Sequence, residues 1–162
     1  MAELAKNRAG RIVRRTAERG PVREFLTFKL GEELYGVELT RIKEILSPPP
    51  ITEVPRAPQE VLGVCSVRGL LVTVVDLRRR LRLEERPFAR RTRILLVTAD
   101  WGEVMGLLVD EVRQVVRLQE SEVEMAAAAL GGDVAEYVLG VGRPEGMFIV
   151  LLDLKAIVSD HA

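Results

Sequence analysis

Gly63-Val64-Cys65-Ser66-Val67-Arg68-Gly69-Leu70-Leu71-Val72-Thr73-Val74-Val75-Asp76-Leu77 aligns without a gap to Gly140-Val141-Gly142-Arg143-Pro144-Glu145-Gly146-Met147-Phe148-Ile149-Val150-Leu151-Leu152-Asp153-Leu154. Both blocks read Gly-Val, a turn closed by Gly, a strand-like run, then Asp-Leu. A second match sets Tyr35-Gly36-Val37 through Arg41-Ile42-Lys43-Glu44-Ile45-Leu46 against Met105-Gly106-Leu107 through Glu111-Val112-Arg113-Gln114-Val115-Val116. The blocks keep one order in both halves, and Gly and Asp recur at matched positions, which chance likeness between aliphatic runs does not require. A repeat of about 70–77 residues is too long for a solenoid unit and suits duplication of a small barrel.

Around these blocks the chain is a series of short β-branched or aliphatic runs separated by turn residues, the pattern of an all-β protein. The clearest runs are Phe25–Leu30, Leu34–Val37, Leu70–Val75, Ile94–Thr98, Val104–Val109 and Met147–Leu152. Several are apolar at nearly every position, which predicts strands covered on both faces. Gly31-Glu32-Glu33 and Ala99–Gly102 are placed as hairpin turns. Short helices are expected in three kinds of place. Pro58 with Gly63 brackets one helical turn over Pro58–Leu62, with Gly63 as its C-cap. Asp76 caps a turn whose Leu77 and Leu81 share a face, and Asp153 does the same for Leu154, Ile157 and Val158. Ser121 with Glu124 reads as a capping box opening Met125–Leu130, ended by Gly131-Gly132.

Residues 1–23 are polar and basic (Lys6, Arg8, Arg11, Arg14, Arg15, Arg19, Arg23), end near Gly20-Pro21 and show no sustained periodicity, so a mobile extension is expected there. The start lacks the apolar segment of a secretory signal, and no apolar run approaches the roughly 20 residues of a membrane span. Twenty-four basic residues balance twenty-four acidic ones, so the whole molecule lacks the basic field of a nucleic-acid binder. The single Cys65 excludes an internal disulfide and fits a reducing compartment, with the cytoplasm expected.

An active site is hard to assemble from these residues. The only histidine is His161, next to the end, which leaves no internal histidine for a catalytic triad or phosphotransfer. Cys65 has no histidine partner in an ordered stretch and reads as a buried structural thiol. Glycine-rich phosphate loops are absent and no cysteine cluster suggests a metal, so neither cofactor nor metal is expected. The clusters Arg78-Arg79-Arg80-Arg82 and Arg90-Arg91-Arg93 could touch phosphate, yet none of the seven aromatics interleaves with the first cluster as a stacking platform would need. That first cluster is expected to be a solvated helix face. Trp101 reads either as hairpin packing or as an interface anchor. What remains is recognition: two barrels side by side leave a groove that could take the apolar stripe of a partner helix.

Phe25-Leu26-Thr27-Phe28-Lys29-Leu30-Gly31-Glu32-Glu33-Leu34-Tyr35-Gly36-Val37-Glu38-Leu39, then Ile42-Lys43-Glu44-Ile45, Pro58 to Val64, Val67-Arg68-Gly69 and Val74-Val75-Asp76-Leu77-Arg78, closely resemble CheW-type chemotaxis coupling proteins. Gly106-Leu107-Leu108-Val109-Asp110-Glu111-Val112 and Leu151-Leu152-Asp153 continue the match, which covers nearly everything from Phe25 to Val158. The resemblance implies two SH3-like five-stranded β-barrels, a first over about 24–83 and a second over about 84–158, within a CheW-like domain at 24–162. It implies a non-enzymatic adaptor, monomeric when isolated, that links the cytoplasmic tip of chemoreceptors to the regulatory domain of a CheA-type histidine kinase, without nucleic acid or membrane insertion. Carried over residue by residue, the receptor side falls on Ile42, Glu44, Arg68, Gly106, Val112 and Val115, with Glu44 and Arg68 close enough to pair. Gly63 reads equally as interface support or as the helix C-cap. Kinase contacts, which in the family involve sheet edges and loops at barrel ends, carry no side-chain signature here. Two departures stand out: the usual Asn-Leu-Arg-Gly turn is Ser66-Val67-Arg68-Gly69, and the common strand proline is Thr73. They leave open an accessory adaptor that engages a receptor but not a kinase, beside a double-barrel peptide- or nucleic-acid-binding module outside chemosensing.

Overall fold

The computed structural model describes residues 5–7, 9–11, 21–125 and 136–159, the first two segments by backbone alone. Strands form where the β-branched and aliphatic runs predict them, usually a residue or two longer. In chain order they are β1 (Ala5–Asn7), β2 (Ala9–Arg11), β3 (Val22–Leu30), β4 (Glu33–Glu38), β5 (Ile42–Leu46), β6 (Val61–Val67), β7 (Leu70–Asp76), β8 (Arg93–Thr98), β9 (Val104–Val109), β10 (Glu111–Gln119), β11 (Val123–Glu124), β12 (Val138–Gly142) and β13 (Ile149–Leu152). Short helices α1 (Leu77–Arg80) and α2 (Leu154–Ser159) follow β7 and β13. The extension expected over 1–23 lies mostly outside the described residues. Within it β1 pairs antiparallel with β2, and Val22 and Arg23 already belong to β3.

One sheet runs β5-β8-β9-β7-β6 and the other β10-β3-β4-β13-β12-β11. The two orders superimpose term by term, with β5, β8, β9, β7 and β6 matching β10, β3, β4, β13 and β12, so the duplication read in the sequence is a duplication in space. The parallel pairs match as well, β7 on β9 in one sheet and β13 on β4 in the other.

The contiguous division at residues 83/84 needs correction. Hairpin β3–β4 from the first half completes the sheet of β10–β13, and hairpin β8–β9 from the second half completes the sheet of β5–β7. Connection length explains it. Only Asp110 separates β9 from β10, fewer residues than the two of the tightest common hairpin, so the chain cannot turn back and runs on into the other sheet. Between β4 and β5 a three-residue 3-10 turn, Leu39–Arg41, makes the equivalent crossing.

Strands apolar at every position are explained by three cores. Leu95, Val97, Met105 and Leu107 of one sheet meet Leu26, Phe28, Tyr35 and Val37 of the other in a shared core closed by Leu77, Leu81, Leu152, Leu154, Ile157 and Val158. The alternate residues Ile94 and Leu96 face Cys65, Val72 and Val74 inside one barrel. Phe25, Val116, Leu118, Ile149 and Leu151 fill the other. Cys65 is 3% exposed, and burial pushes its thiol pKa up, as suits a structural residue.

The helix expectations divide. Asp76 Oδ1 accepts from the Arg78 N–H at 2.9 Å, and Asp153 Oδ1 accepts from Lys155 at 3.1 Å, so both caps form. No helix forms over Pro58–Leu62. A single turn bond from the Val61 N–H to the Pro58 carbonyl, 3.0 Å, leads into β6, and Gly63 is a strand residue. The capping box lies two residues earlier than expected, with Gln119 and Glu122 closing a 3-10 turn over Glu120–Glu122, so Ser121 sits inside that turn and Glu124 in β11. The helix expected from Met125 onward lies outside the described residues beyond Met125 itself.

The arginine cluster is not a solvated face either. Arg78 and Arg80 are 5% and 8% exposed. Arg80 donates to the Ile157 carbonyl at 3.1 Å, pairs with Glu60 at 3.1 Å and lies over the Tyr137 ring. Arg78 ties α1 to the crossover: its guanidinium makes two bonds with the Asp110 carboxylate and reaches the Glu84 carbonyl, while Asp110 also accepts from the Gly31 N–H at 2.7 Å. Burial alone would raise the Asp110 carboxyl pKa, but Arg78 and the Gly31 amide outweigh it and hold it below the ordinary value. A depressed carboxylate stabilises fully above its unfolded-state pKa near ~4 and loses that contribution as pH falls through the folded value. Arg78→Met is therefore expected to lower the unfolding free energy by about 3 kcal/mol, because it strands a partly buried charge. Urea midpoints at neutral pH read the loss, and the same measurement below about pH 4 should show a smaller difference between the two proteins.

Candidate functional site

Turn chemistry places Arg68. Two residues join β6 to β7, and both have positive φ, Arg68 at 49° and Gly69 at 84°, the signature of a type I′ hairpin turn. The guanidinium meets the Glu44 carboxylate through two bonds, Nη1 to Oε2 at 3.1 Å and Nη2 to Oε1. The expected proximity is thus observed. The Arg68 side chain is 70% exposed and that of Glu44 37%, so the pair stands on the surface. Its hydrogen bonding lowers the Glu44 pKa and raises that of Arg68. Glu44 lies on β5, an edge of its sheet, and Arg68 at the tip of the hairpin on the opposite edge, so the pair spans the barrel seam.

Bulges decide which residues of β5 and of β10 share a side of their strand. In β5, Ile42 opposes Val97 and Glu44 opposes Leu96, so Lys43 is the extra residue. Ile45 then opposes Leu95, which puts Ile42 and Ile45 on one face despite their odd spacing. In β10, Val112 opposes Phe28 and Val115 opposes Leu26, with Arg113 and Gln114 both facing Thr27. Val112 and Val115 also share a face. The repeat therefore presents the same device twice: Ile42 and Val112 pack against the shared core, while Ile45 (42% exposed) and Val115 (43%), on the same side of their strands, remain exposed. Ile45 is an exposed apolar residue that sequence reasoning passed over, although its alignment with Val115 in the repeat carried the signal.

Gly106 does not belong on the surface. It is buried in the middle of β9, opposite Leu96 and Val74, and a Cβ there would fall 2.8 Å from Ile94 Cγ2. Its twin Gly36 is enclosed in the same way, with Leu151 Cδ2 at 3.2 Å. Direct contact with a partner is excluded for Gly106, and any influence must pass through packing. Gly106→Ala is expected to cost about 1–3 kcal/mol by overpacking. Chemical denaturation should show that loss, and partner binding at a temperature where the variant is folded should stay within about threefold.

Gly63 serves closure of the barrel. A Cβ would sit 2.3 Å from the Thr52 carbonyl oxygen, where Thr52 and Val64 exchange two backbone bonds of 2.8 Å. Gly140 meets the Glu124 carbonyl in the same manner at 2.5 Å, so this close approach also recurs in both repeats.

The expected groove between the barrels is filled by the shared core. At its margin a cavity of about 430 Å³ remains, lined among others by Leu34, Leu81, Leu83, Phe148 and Val150. The run Leu70–Val75 is not covered throughout: Leu70 and Leu71 are 64% and 74% exposed, and Phe148, the repeat counterpart of Leu71, is 53% exposed. Nothing in the aliphatic run signalled this, because its periodicity is that of a buried strand. Trp101 stands at the β8–β9 turn, 43% exposed, and donates to Glu103 at 2.8 Å. Among the described residues no group of three or more His, Cys, Asp or Glu could hold a metal ion, and no helix is long and apolar enough to cross a membrane.

Comparison with known proteins agrees with this geometry. The CheW-like domain matches residues 24–162. Protein FrzA of Myxococcus xanthus is 34% identical over 131 residues, spanning 80% of each chain. The chemotaxis protein CheW of Bacillus subtilis is 29% identical over 147 residues, 91% of this chain and 94% of that protein. Among solved structures, the scaffolding protein TtCheW from Thermoanaerobacter tengcongensis superimposes with a TM-score of 0.74 at 25% identity, over 85% of this chain and 92% of the other. With the family match and the duplicated double-barrel fold in agreement, this chain belongs to the CheW-like family.

Proposed function

We propose that this chain is a non-enzymatic adaptor that couples the cytoplasmic tips of chemoreceptors to the regulatory domain of a CheA-type histidine kinase, acting in the cytoplasm as a monomer recruited to receptor clusters. The observation that carries the reading is the exposed two-bond pair Glu44–Arg68, together with the apolar Ile45 and Val115 left exposed at equivalent places in the two repeats. Such a surface fits a helical tip: apolar side chains supply contact area, and an ion pair in fixed orientation selects the partner and its register. An exposed pair adds little to folding, so its retention on this face makes more sense for recognition. Relatives known as chemotaxis proteins, and a structural neighbour that is a scaffolding protein, support the same reading.

The kinase side fits the barrel ends, where Leu70, Leu71 and Phe148 stand exposed on hairpins at equivalent places in the two repeats. Burial of Arg78 and Arg80 removes half of the basic cluster on which a nucleic-acid reading would depend. The deciding experiment is co-elution of the full chain with a receptor cytoplasmic tip, with the kinase regulatory domain, and with both together. A ternary peak is expected. Elution with the tip alone would make it an accessory adaptor, and elution with neither would end the coupling reading.

A further inference from the structure

Thr27 is an anomaly in β3. It is 1% exposed in the run Phe25-Leu26-Thr27-Phe28, where its neighbours supply two of the apolar cores. A hydroxyl buried there costs free energy unless it is bonded, and an apolar side chain of the same shape would suit the packing better. Its two bonds go to one residue. Thr27 Oγ1 donates to the Gln114 carbonyl at 2.6 Å and accepts from the Gln114 N–H at 3.0 Å. Gln114 belongs to the β10 bulge, in which two residues oppose Thr27 alone, so its N–H and C=O lack their regular ladder partners. One side chain satisfies both.

We propose that Thr27 is a positioning residue for the receptor-side face: its hydroxyl clamps the β10 bulge and so fixes how Val112 and Val115 are presented together. The inference rests on the coupling reading and deepens it, since Thr27 is buried and acts only through the Gln114 backbone. The bulge counts the strand so that positions of odd spacing share a face. Without the clamp, the extra residue can migrate along β10, and each step of migration turns a different side chain outward.

The test compares the full chain carrying Thr27→Val, which keeps the shape and removes both bonds, with Thr27→Ser, which keeps the hydroxyl. Three measurements apply to each: affinity for a receptor cytoplasmic-tip fragment, affinity for the kinase regulatory domain, and hydrogen exchange of the Gln114 amide. Thr27→Val should weaken tip binding about tenfold and speed Gln114 exchange at least tenfold, with kinase-domain binding within about twofold of the parent. Thr27→Ser should restore the first two. Normal tip binding by Thr27→Val, with Gln114 deprotected, would overturn the proposal and leave the coupling reading intact, whereas a parent chain that ignores the tip takes both down. Should Thr27→Val lose both partners, deletion of Arg113 in the same chain decides. It removes the extra residue, lets Gln114 pair regularly opposite residue 27 and keeps Val112 and Val115 opposite Phe28 and Leu26. Recovery of both affinities supports the clamp, and failure to recover tip binding overturns it.

Discussion

Glu44→Arg is expected to weaken receptor-tip binding by more than a hundredfold while the thermal midpoint moves by less than about 2 °C. The stability half of that statement follows from exposure: both side chains stand in solvent, where an ion pair is screened and loses side-chain entropy on pairing. The binding half follows from geometry. The substitution puts two guanidinium groups face to face at the seam between β5 and the β6–β7 turn, so Arg68 must swing away from its fixed orientation. Arg68→Glu should do the same from the other side. The charge-swapped double variant is the sharper probe. It restores an ion pair but reverses its polarity, so it should refold the seam and still fail to bind, because a partner that reads orientation meets the wrong sign. Calorimetric titration of a tip fragment into each variant measures the effect, and normal binding by Glu44→Arg would remove this face from the coupling surface. Since the bond to Arg68 lowers the Glu44 pKa, the pair persists as pH falls from 7 to about 5, and the parent's tip binding should be flat over that interval.

Much of the fold was readable because strand positions, hairpin turns and aspartate caps are local matters. Asp76 and Asp153 cap because a carboxylate two residues ahead of a free amide has few better uses, whatever lies far away. Partnership between strands is not local. The repeat revealed the order β3–β4 before β6–β7 and its copy, but an exchange of hairpins leaves every strand in the same chain order. Only the single-residue link at Asp110 betrays the crossing. Burial of charge was equally hidden. Arg78 and Arg79 are neighbours of one residue type, yet the first lies at a crossover with Asp110 and the Glu84 carbonyl waiting for it. At the site, the pairing of Glu44 with Arg68 came from family resemblance, and the structure supplied what no run of residues states: the bulges that align Ile42 with Ile45 and Val112 with Val115, and the burial that takes Gly106 off the surface.

Cutting the chain between Arg86 and Pro87 is expected to give two halves that cannot fold apart and do fold together. Residues 24–86 hold β3 to β7 and α1, but β5 would lack β8, β7 would lack β9, and the β3–β4 hairpin would lack both β10 and β13. The shared core would lose Leu95, Val97, Met105 and Leu107 in one step, and each half would expose the face those residues cover. Two isolated hairpins with an uncovered apolar face are at best marginal in water. Each half alone should therefore show no cooperative unfolding transition by circular dichroism, whereas an equimolar mixture refolded from urea should recover one and elute as a single species. A cooperative transition from residues 24–86 alone would contradict the exchange of hairpins. Function should follow the same rule. Ile42, Glu44 and Arg68 lie in the first half and Val112 and Val115 in the second, so neither half should bind the receptor tip, and binding should return in proportion to the reassembled pair.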